Sequence, residues 1–460
     1  MVYPVQKTFS PLLYCSFLRV STSMLHLPKV LTMSLIEELK WRGMLQDIMP
    51  GTAEQLAKEP TSAYIGFDPT ADSLHIGSLV PILLLYHLQQ AGHKPFALIG
   101  GATGMVGDPS GKSEERNLLD EPTLQKNIAG VQKQLEKYLD FNPERSNSAE
   151  IVNNYDWFKG LGFIEFLRDV GKHITVNYMM SKDSVKKRIE GETGISYTEF
   201  AYQLMQGYDF YWLYKNKNCK LQMGGSDQWG NITTGTELIR RKAGGEGFAF
   251  TCPLITKADG GKFGKTEKGN VWLDPQKTTP FQFYQFWLNA ADADAEKWIK
   301  IFTLLSMEEI SIIIEEHAKD PGARALQRKL AECITVFVHG QAEFESARQT
   351  TEQLFGKGED INLREMDEAQ LLAAMEGVPE HQIEATHIVT GIDVVSFLFE
   401  SGIFPSKGEA RKMVQGGGIS INKEKVTDHS MVINKAALLC SEYIVVQKGK
   451  KNHFLVKKAG

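Results

Sequence analysis

The spacing of apolar residues between positions 62 and 99 predicts a strand, a helix and a second strand in close succession. Short buried strands are predicted over Ser62–Phe67 and Lys94–Ile99. Between them, apolar residues recur at the i, i+3, i+4, i+7 spacing of an amphipathic helix that ends before Gly92. A strand–helix–strand unit of this length predicts a parallel sheet with a right-handed crossover. Ligands of such sheets bind beyond the carboxyl ends of the strands.

The rest of the chain predicts further helices and strands and then a change of architecture. Helical patterns cover 118–139 and 197–214, and strands are predicted over 220–223 and 251–256. From 281 to about 355 the pattern is helical throughout, and from about 391 a helix precedes short β-rich runs. We therefore predict an α/β fold whose parts are a Rossmann-like parallel-sheet domain (33–280), an all-helical domain (281–356), a linker (357–390) and a small α+β domain (391–460).

The first 32 residues differ in composition from the rest. They contain Lys7, Arg19 and Lys29 but no acidic residue. Such a composition is typical of a targeting segment. The alternative interpretation is an over-extended start, with translation beginning at Met33, where an amphipathic helix opens. We favour the second interpretation and leave 1–32 out of the fold prediction.

Composition excludes some classes of protein. The chain is 42% apolar and 23% charged, and no apolar run approaches the roughly 20 residues that a membrane-spanning helix needs. We therefore expect no membrane partner. The five cysteines are scattered, without a Cys-x-x-Cys pair. This pattern fits a reducing compartment and predicts a cytoplasmic protein.

Charge is distributed unevenly along the chain. Residues 405–460 contain 11 Lys and Arg against 4 Asp and Glu, a local balance of +7, whereas the whole chain carries −5. A basic end on an acidic body indicates either a polyanion partner or a solvated basic surface. Composition alone leaves both possibilities open.

A short motif follows the first predicted strand. His75-Ile-Gly77 stands where the loop 68–74 enters the helix, and a helix N-terminus offers free N–H groups to a phosphate. Gly77 would let a base or ribose approach the backbone, because it has no side chain. The alternative is an ordinary capped helix, and this motif alone leaves the two interpretations balanced.

A second motif, Lys262-Phe-Gly-Lys265-Thr266, lies on a glycine-rich loop after the last strand predicted for the sheet. Two lysines three residues apart could follow pyrophosphate as charge develops on it. The alternative is a solvated surface hairpin, which is the usual environment of such loops.

The two motifs together resemble the class I aminoacyl-tRNA synthetases. Longer strings at 100–111, 177–180, 224–231 and 256–260 are similar to those of the bacterial-type tyrosyl-tRNA synthetase family, and the resemblance covers nearly the whole chain from Met33. It implies an enzyme that activates L-tyrosine with ATP to tyrosyl-adenylate and pyrophosphate, and then transfers the tyrosyl group to the 3′ end of tRNA(Tyr). It also implies a homodimer, with Mg²⁺ accompanying ATP and no dedicated protein metal site.

The resemblance also implies roles for individual residues. Tyr64 and Asp209 would bind the phenol hydroxyl. The remaining tyrosine-binding positions are Asp108, Tyr202, Gln206 and Gln222. The implied catalytic residues are Thr70, His75, Lys262, Lys265 and Thr266. The implied ATP contacts are Gly66, Asp68, His75, Gly77, Ser78, Asp227, Gln228 and Lys265.

The domains predicted above acquire roles from the same resemblance. The sheet domain would be catalytic, the helical domain would bind the anticodon, and 391–460 resembles a small RNA-binding module first seen in a ribosomal protein. Two positions depart from the family pattern: Ser78 replaces a histidine, and Ile65 replaces a more polar residue. Two alternatives remain open, a tryptophan-activating relative and a non-catalytic RNA-binding protein of the same fold.

Overall fold

The computed structural model describes the greater part of the chain from Met33 onward. The described residues are 33–108, 110, 119–191, 194–258, 260–261, 263–266, 269–355, 363–368, 371–372, 375, 378–449 and 452–459, without the side chains of 265–266 and 353–355. The prediction for 1–32 lies outside them. No helix among the described residues has both the length and the apolar character needed to cross a membrane.

Five parallel strands form the central sheet. They are β1 (Ser62–Phe67), β2 (Lys94–Ile99), β3 (Glu150–Asn153), β4 (Cys219–Gly225) and β5 (Phe248–Cys252). Their order is β3-β2-β1-β4-β5, so the direction of winding reverses between β1 and β4. The Rossmann-like prediction is confirmed, and the bounds of β1 and β2 are as predicted. β5 ends earlier than predicted, since Pro253 lacks the N–H that would continue the ladder.

Helices cover both faces of this sheet. Alternate side chains of β1 enter different cores: Ala63 and Ile65 belong to the core that includes the helix Leu79–Gln90, and Tyr64 belongs to the core that includes Phe210. This alternation follows from the two-residue period of a strand. The helices of this region are Leu35–Arg42, Thr52–Lys58, Leu79–Gln90, Glu121–Leu135, Tyr155–Phe158, Phe163–Asp169, Val176–Met180, Asp183–Ile189, Tyr197–Lys217 and Trp229–Ala243.

A small hairpin and a run of helices follow the sheet. The hairpin pairs β6 (Lys265–Thr266) with β7 (Gly269–Asn270). The helices after it are Pro280–Leu288, Asp292–Phe302, Met307–Lys319, Ala325–His339 and Gln341–Phe355. The helical character predicted for this part is confirmed. Buried Arg42 connects the helix Leu35–Arg42 to this part, because its guanidinium donates to the carbonyls of Lys300, Thr303 and Leu305 at 2.8–2.9 Å.

The C-terminal part is a small α+β domain built on a five-stranded mixed sheet. The strands of the whole domain are β8 (Glu380–Glu384), β9 (Ile392–Asp393), β10 (Ile419–Ile421), β11 (Glu424–Val426), β12 (Val432–Ile433), β13 (Tyr443–Lys448) and β14 (Asn452–Ala459). The order in the larger sheet is β11-β10-β13-β14-β8, and β9 pairs with β12. Its helices are Ala385–Thr390, Val394–Glu400 and Lys407–Gln415.

The structure differs from the prediction that 357–390 is a linker. β8 pairs with β14 over five residues, and the helix Ala385–Thr390 follows it. The sequence of β8 conceals the strand, because only Ile383 in it is buried and its other residues are charged or polar. Leu371 is also buried, in a core that includes Tyr443 of the small domain as well as residues of the central sheet and of the helices after it. The small domain therefore includes residues that were assigned to the linker.

Candidate active site

A cavity of about 870 Å³ opens at the carboxyl ends of β1 and β4, where the strand order reverses. This is the position at which open parallel sheets bind their ligands. Every predicted site residue whose side chain the structure describes lines it. These residues are Tyr64, Gly66, Asp68, Thr70, His75, Gly77, Ser78, Asp108, Tyr202, Gln206, Asp209, Gln222, Asp227 and Gln228. Lys262 and the side chains of Lys265 and Thr266 lie outside the described residues.

His75 caps the turn that starts the helix after β1. Its Nδ1 accepts a hydrogen bond from the Gly77 backbone N–H at 3.0 Å. The neutral imidazole therefore carries its proton on Nε2 and can donate from that atom. A β-carbon at Gly77 would lie 2.7 Å from His75 Cε1, so a larger residue there would displace the imidazole. The turn thus combines an imidazole donor with backbone that a ligand can approach closely.

The lysine-bearing hairpin lies directly against this turn. The carbonyl of Val271 accepts from Ile76 N at 3.0 Å, and Val271 N donates to the carbonyl of Gly264 at 3.0 Å. A β-carbon on Gly264 would lie 3.1 Å from Ile76 Cγ1. The backbone of the second motif is therefore adjacent to the first, although almost 190 positions separate them in the sequence.

The most deeply buried end of the cavity holds Tyr64 and Asp209. They are 1% and 2% exposed, and the Tyr64 hydroxyl has no hydrogen-bond partner among the described residues. Asp209 accepts from Trp157 Nε1 at 2.8 Å and from Asn154 Nδ2 at 3.1 Å. Burial raises the pKa of Asp209 to about 8, and these two donors oppose the rise. Such a pair can bind a ligand hydroxyl, because each group can complete a hydrogen bond to it.

A second polar cluster surrounds Asp108. Gln228 Nε2 donates to Asp108 Oδ2 at 2.7 Å, and Asn231 Nδ2 donates to Gln206 Oε1 at 3.0 Å. The Tyr202 hydroxyl donates to Asp68 Oδ2 at 3.1 Å. Two carboxylates and several amide and hydroxyl groups so close together can bind a ligand ammonium group.

Titration behaviour in this cluster follows from burial. Burial and the nearby Asp68 carboxylate raise the pKa of Tyr202 well above its usual range, so Tyr202 remains a neutral hydroxyl donor. Burial also raises the pKa of Asp227.

No group of three or more His, Cys, Asp or Glu side chains among the described residues could hold a metal ion.

Sequence reasoning missed several residues of this site. Thr103 Oγ1 donates to Asp68 at 3.1 Å and accepts from Asn154 at 3.0 Å, so it connects the two polar ends of the cavity. Asn231 stands in one of the recognised strings, at 224–231, and could have been noticed there. Asn154 and Trp157 belong to no recognised string, and only the fold brings them to Asp209.

Comparisons with known proteins agree with this geometry. A family model described as class I tRNA synthetases (W and Y) matches residues 56–356. The tyrosine–tRNA ligases of Porphyromonas gingivalis and Bacteroides thetaiotaomicron are each 60% identical to this chain over 427 residues, which is 92% of the chain and 99% of each relative. The chain belongs to the tyrosine–tRNA ligase family. A second model, for the C-terminal domain of tyrosine–tRNA ligases, matches residues 370–456.

Solved structures extend the tyrosine–tRNA ligase likeness to the fold. A C-terminally truncated mitochondrial tyrosyl-tRNA synthetase of Aspergillus nidulans aligns with a TM-score of 0.63 and 31% identity, over 70% of this chain and 95% of its own. The corresponding Coccidioides posadasii protein aligns with a TM-score of 0.61 and 30% identity, over 69% of this chain and 91% of its own. The resemblance inferred from the motifs is confirmed, and the tyrosine–tRNA ligases are favoured over a tryptophan-activating relative.

Proposed function

We propose that this chain activates L-tyrosine with ATP and transfers the tyrosyl group to the 3′ end of tRNA(Tyr). The observation that carries the proposal is the content of one cavity. Buried Tyr64 and Asp209 lie at its deep end, and the His75–Gly77 turn lines it at a helix start. A phenol-binding pair and a phosphate-binding turn in a single cleft are what tyrosine activation requires.

The two polar ends of the cavity bind different groups of the amino acid. Its phenol hydroxyl bonds Tyr64 and Asp209, and its ammonium group bonds Asp108, Tyr202 and Gln206. Phenylalanine would leave the buried Tyr64 hydroxyl unpaired, and an unpaired buried group costs about 1–3 kcal/mol. The deep end thus selects for a hydroxylated ring as well as for size.

The Gln222 amide lies beside this pocket. Gln222 lines the cavity and is 2% exposed. We place the substrate carboxylate near this amide, where its N–H donors can orient the attacking oxygen. The site thereby holds the nucleophile in position, which is the main contribution to such reactions.

Adenylate formation is an in-line displacement. A carboxylate oxygen of tyrosine attacks the α-phosphorus of ATP, the new C–O–P link forms, and the bond to pyrophosphate breaks. Thr70 and His75 donate to the phosphate oxygens. Lys262, Lys265 and Thr266 close over the departing pyrophosphate, which leaves with its Mg²⁺. Catalysis is electrostatic, because these donors are strongest where charge develops.

The nucleoside lies against the start of the helix after β1. Gly66 and Gly77 leave room beside the backbone, and Asp68, Ser78, Asp227 and Gln228 offer polar groups to the ribose and its phosphate. The terminal ribose hydroxyl of tRNA then attacks the tyrosyl carbonyl, and AMP leaves. No protein nucleophile takes part in either step.

tRNA is the partner of the C-terminal parts of the chain. The five helices between 280 and 355 would bind the anticodon. The helix Lys407–Gln415 carries Lys407, Arg411 and Lys412, which are suited to a phosphate backbone. This assignment agrees with the local charge of +7 between 405 and 460.

A second copy of the chain is the proposed partner of the helix Phe163–Asp169. None of its residues is buried. Three of them are large and apolar, and Phe163, Ile164 and Leu167 are 62%, 74% and 39% exposed. Val176 and Met180 of a neighbouring helix are also exposed. Exposed large apolar side chains on two successive helices are typical of a protein–protein interface, and a homodimer would cover them. We place the dimer in the cytoplasm, where the thiols of Cys219, Cys252, Cys333 and Cys440, free in the structure, would remain reduced.

The proposal is tested by incubating the protein with ATP, labelled tyrosine and total tRNA. We expect label to become acid-insoluble, to be released by mild base, and to depend on the 3′-terminal ribose. Labelled adenylate that is never transferred would contradict the second step. Sedimentation of the same preparation is expected to show twice the mass of one chain.

A further inference from the structure

The loop 68–74 presents Thr70 to the cavity and leads into His75, yet it has no regular structure of its own. Buried backbone groups need hydrogen-bond partners, and a loop outside a helix or strand must obtain them from elsewhere. The position of this loop therefore depends on the elements that supply those partners.

The helix Glu121–Leu135 supplies several of them. The Asn127 side chain donates from Nδ2 to the carbonyl of Pro69 at 3.0 Å. Gln134 accepts from Leu74 N through Oε1 at 2.7 Å and donates from Nε2 to Ser73 Oγ at 3.0 Å. Both side chains are buried, at 4% and 7% exposed. Buried amides are uncommon in helices, and these two bond the ends of one loop.

Close packing between helix and loop accompanies these bonds. Gly130 lies on the same helix face as Asn127 and Gln134. The three residues stand at i (Asn127), i+3 (Gly130) and i+7 (Gln134). A β-carbon at Gly130 would lie 2.1 Å from the carbonyl oxygen of Asp72. The helix therefore approaches the middle of the loop as closely as backbone permits, and the two amides hold the residues just before Thr70 and just before His75.

We propose that Gln134 and Asn127 are positioning residues for nucleotide activation. Neither is among the described residues that line the cavity, so both act through the loop. The inference rests on the proposed function, in which Thr70 and His75 contact the phosphates of ATP. A displacement of about 1 Å in such groups can cost on the order of 100-fold in rate.

Gln134→Met tests this role, because methionine fills a similar volume without the amide. We expect kcat/KM for ATP in pyrophosphate exchange to fall by about 10- to 100-fold, while the dissociation constant for tyrosine stays within about twofold of wild type. Gln134→Glu, which keeps an acceptor for Leu74 N, is expected to recover part of the loss.

Gln132→Met is the matched control. Gln132 is on the same helix but exposed, and it bonds Glu136. If Gln132→Met shows wild-type exchange kinetics, the loss of kcat/KM in Gln134→Met is due to the contacts with the loop. Unchanged kinetics in folded Gln134→Met, or an equal loss of tyrosine binding, would overturn the inference.

A second variant keeps the test decisive if Gln134→Met does not fold. Asn127→Ala removes the bond to Pro69 and leaves both Gln134 bonds in place, and it is judged by the same two constants. Failure of the proposed function itself is recognised separately, since the wild-type protein would then show no tyrosine-dependent exchange. Active wild type with equally active Gln134→Met and Asn127→Ala rejects the positioning role alone.

Discussion

Trp157 donates its indole N–H to Oδ1 of Asp209 at 2.8 Å, while Asn154 donates to the other carboxylate oxygen at 3.1 Å. Together they fix the carboxyl group beside the Tyr64 hydroxyl. We therefore expect specificity for a phenol to depend on Trp157 and Asn154, which are not among the described residues lining the cavity, as well as on the pair proposed to contact the substrate.

Loss of the indole donor should weaken tyrosine binding selectively. For Trp157→Phe we expect the KM for tyrosine to rise about tenfold with little change in kcat, because Oδ1 of the buried Asp209 loses its donor and an unsatisfied buried group costs about 1–3 kcal/mol. Tyrosine-dependent pyrophosphate exchange measures both constants. Trp212→Phe is the control, since Trp212 stacks on Trp157 at 4.3 Å and its loss leaves both described donors of Asp209 in place. Equal effects of the two variants would show that packing, and not the donor, matters.

The raised pKa of Asp209 predicts how stability depends on pH. Its pKa of about 8 in the folded, ligand-free protein exceeds the ordinary value of 3.8. The folded state therefore retains a proton that the unfolded chain loses. Its contribution to stability is fully present below pH 4 and is lost as the pH rises toward 8.

Asp209→Asn should remove this dependence. Between pH 5 and pH 9 we expect the free energy of unfolding of wild type to fall relative to the variant by roughly 3–5 kcal/mol, at about 1.4 kcal/mol per unit of pKa. Urea unfolding without ligand measures the difference, and other titrating groups cancel between the two proteins. Parallel pH profiles would show that Asp209 titrates near its ordinary pKa.

Sequence patterns predicted the elements whose hydrophobic periodicity is visible within a short stretch of the chain. β1 and β2 match their predicted bounds, because buried strands and the amphipathic helix between them are visible as periodicity. The motifs also identified the residues that line the cavity. Contacts between distant segments were not predictable in the same way: Gln134 resembles a surface residue by its polar side chain, and only its contact with Leu74 gives it a role.

The predicted linker is a second case in which a contact between distant segments could not be predicted from the sequence. β8 has one buried residue, Ile383, and it becomes a strand through pairing with β14, 75 positions later. An edge strand stabilised by a distant partner has no apolar period of its own. Pairings of that kind are a property of the folded chain and cannot be derived from a local window.

The boundary of the small domain can be tested by excision. We propose that a fragment of residues 363–460 folds on its own, whereas 391–460 does not. The shorter fragment lacks β8 and the buried Leu371, which would expose the edge of β14 and favour aggregation. Thermal unfolding followed by circular dichroism is expected to be cooperative for the longer fragment only. Similar midpoints for both fragments would place the boundary at 391, as the sequence predicted.

Contact between the lysine hairpin and the His75 turn predicts a defect in adenylate formation. Gly264→Ala would place a methyl group 3.1 Å from Ile76 Cγ1 at a φ of 80°. We expect the rate of adenylate formation to fall about tenfold or more, with tyrosine affinity unchanged. Single-turnover kinetics measure the rate, and equilibrium dialysis measures the affinity.

Gly269→Ala serves as the control for backbone strain. Gly269 also has a positive φ, of 107°, but an added β-carbon would meet no atom of the described residues within 4 Å. A similar loss of rate in both variants would indicate strain in the hairpin itself. A loss confined to Gly264→Ala would assign the effect to contact with the turn.

The central claim is that this cavity activates tyrosine and no other standard amino acid. ATP–pyrophosphate exchange, measured with each of the twenty amino acids in turn, tests it most directly. The account predicts exchange with tyrosine, and rates with phenylalanine and tryptophan close to the background without amino acid. Exchange with tryptophan but not tyrosine, or with none of the twenty, would contradict it.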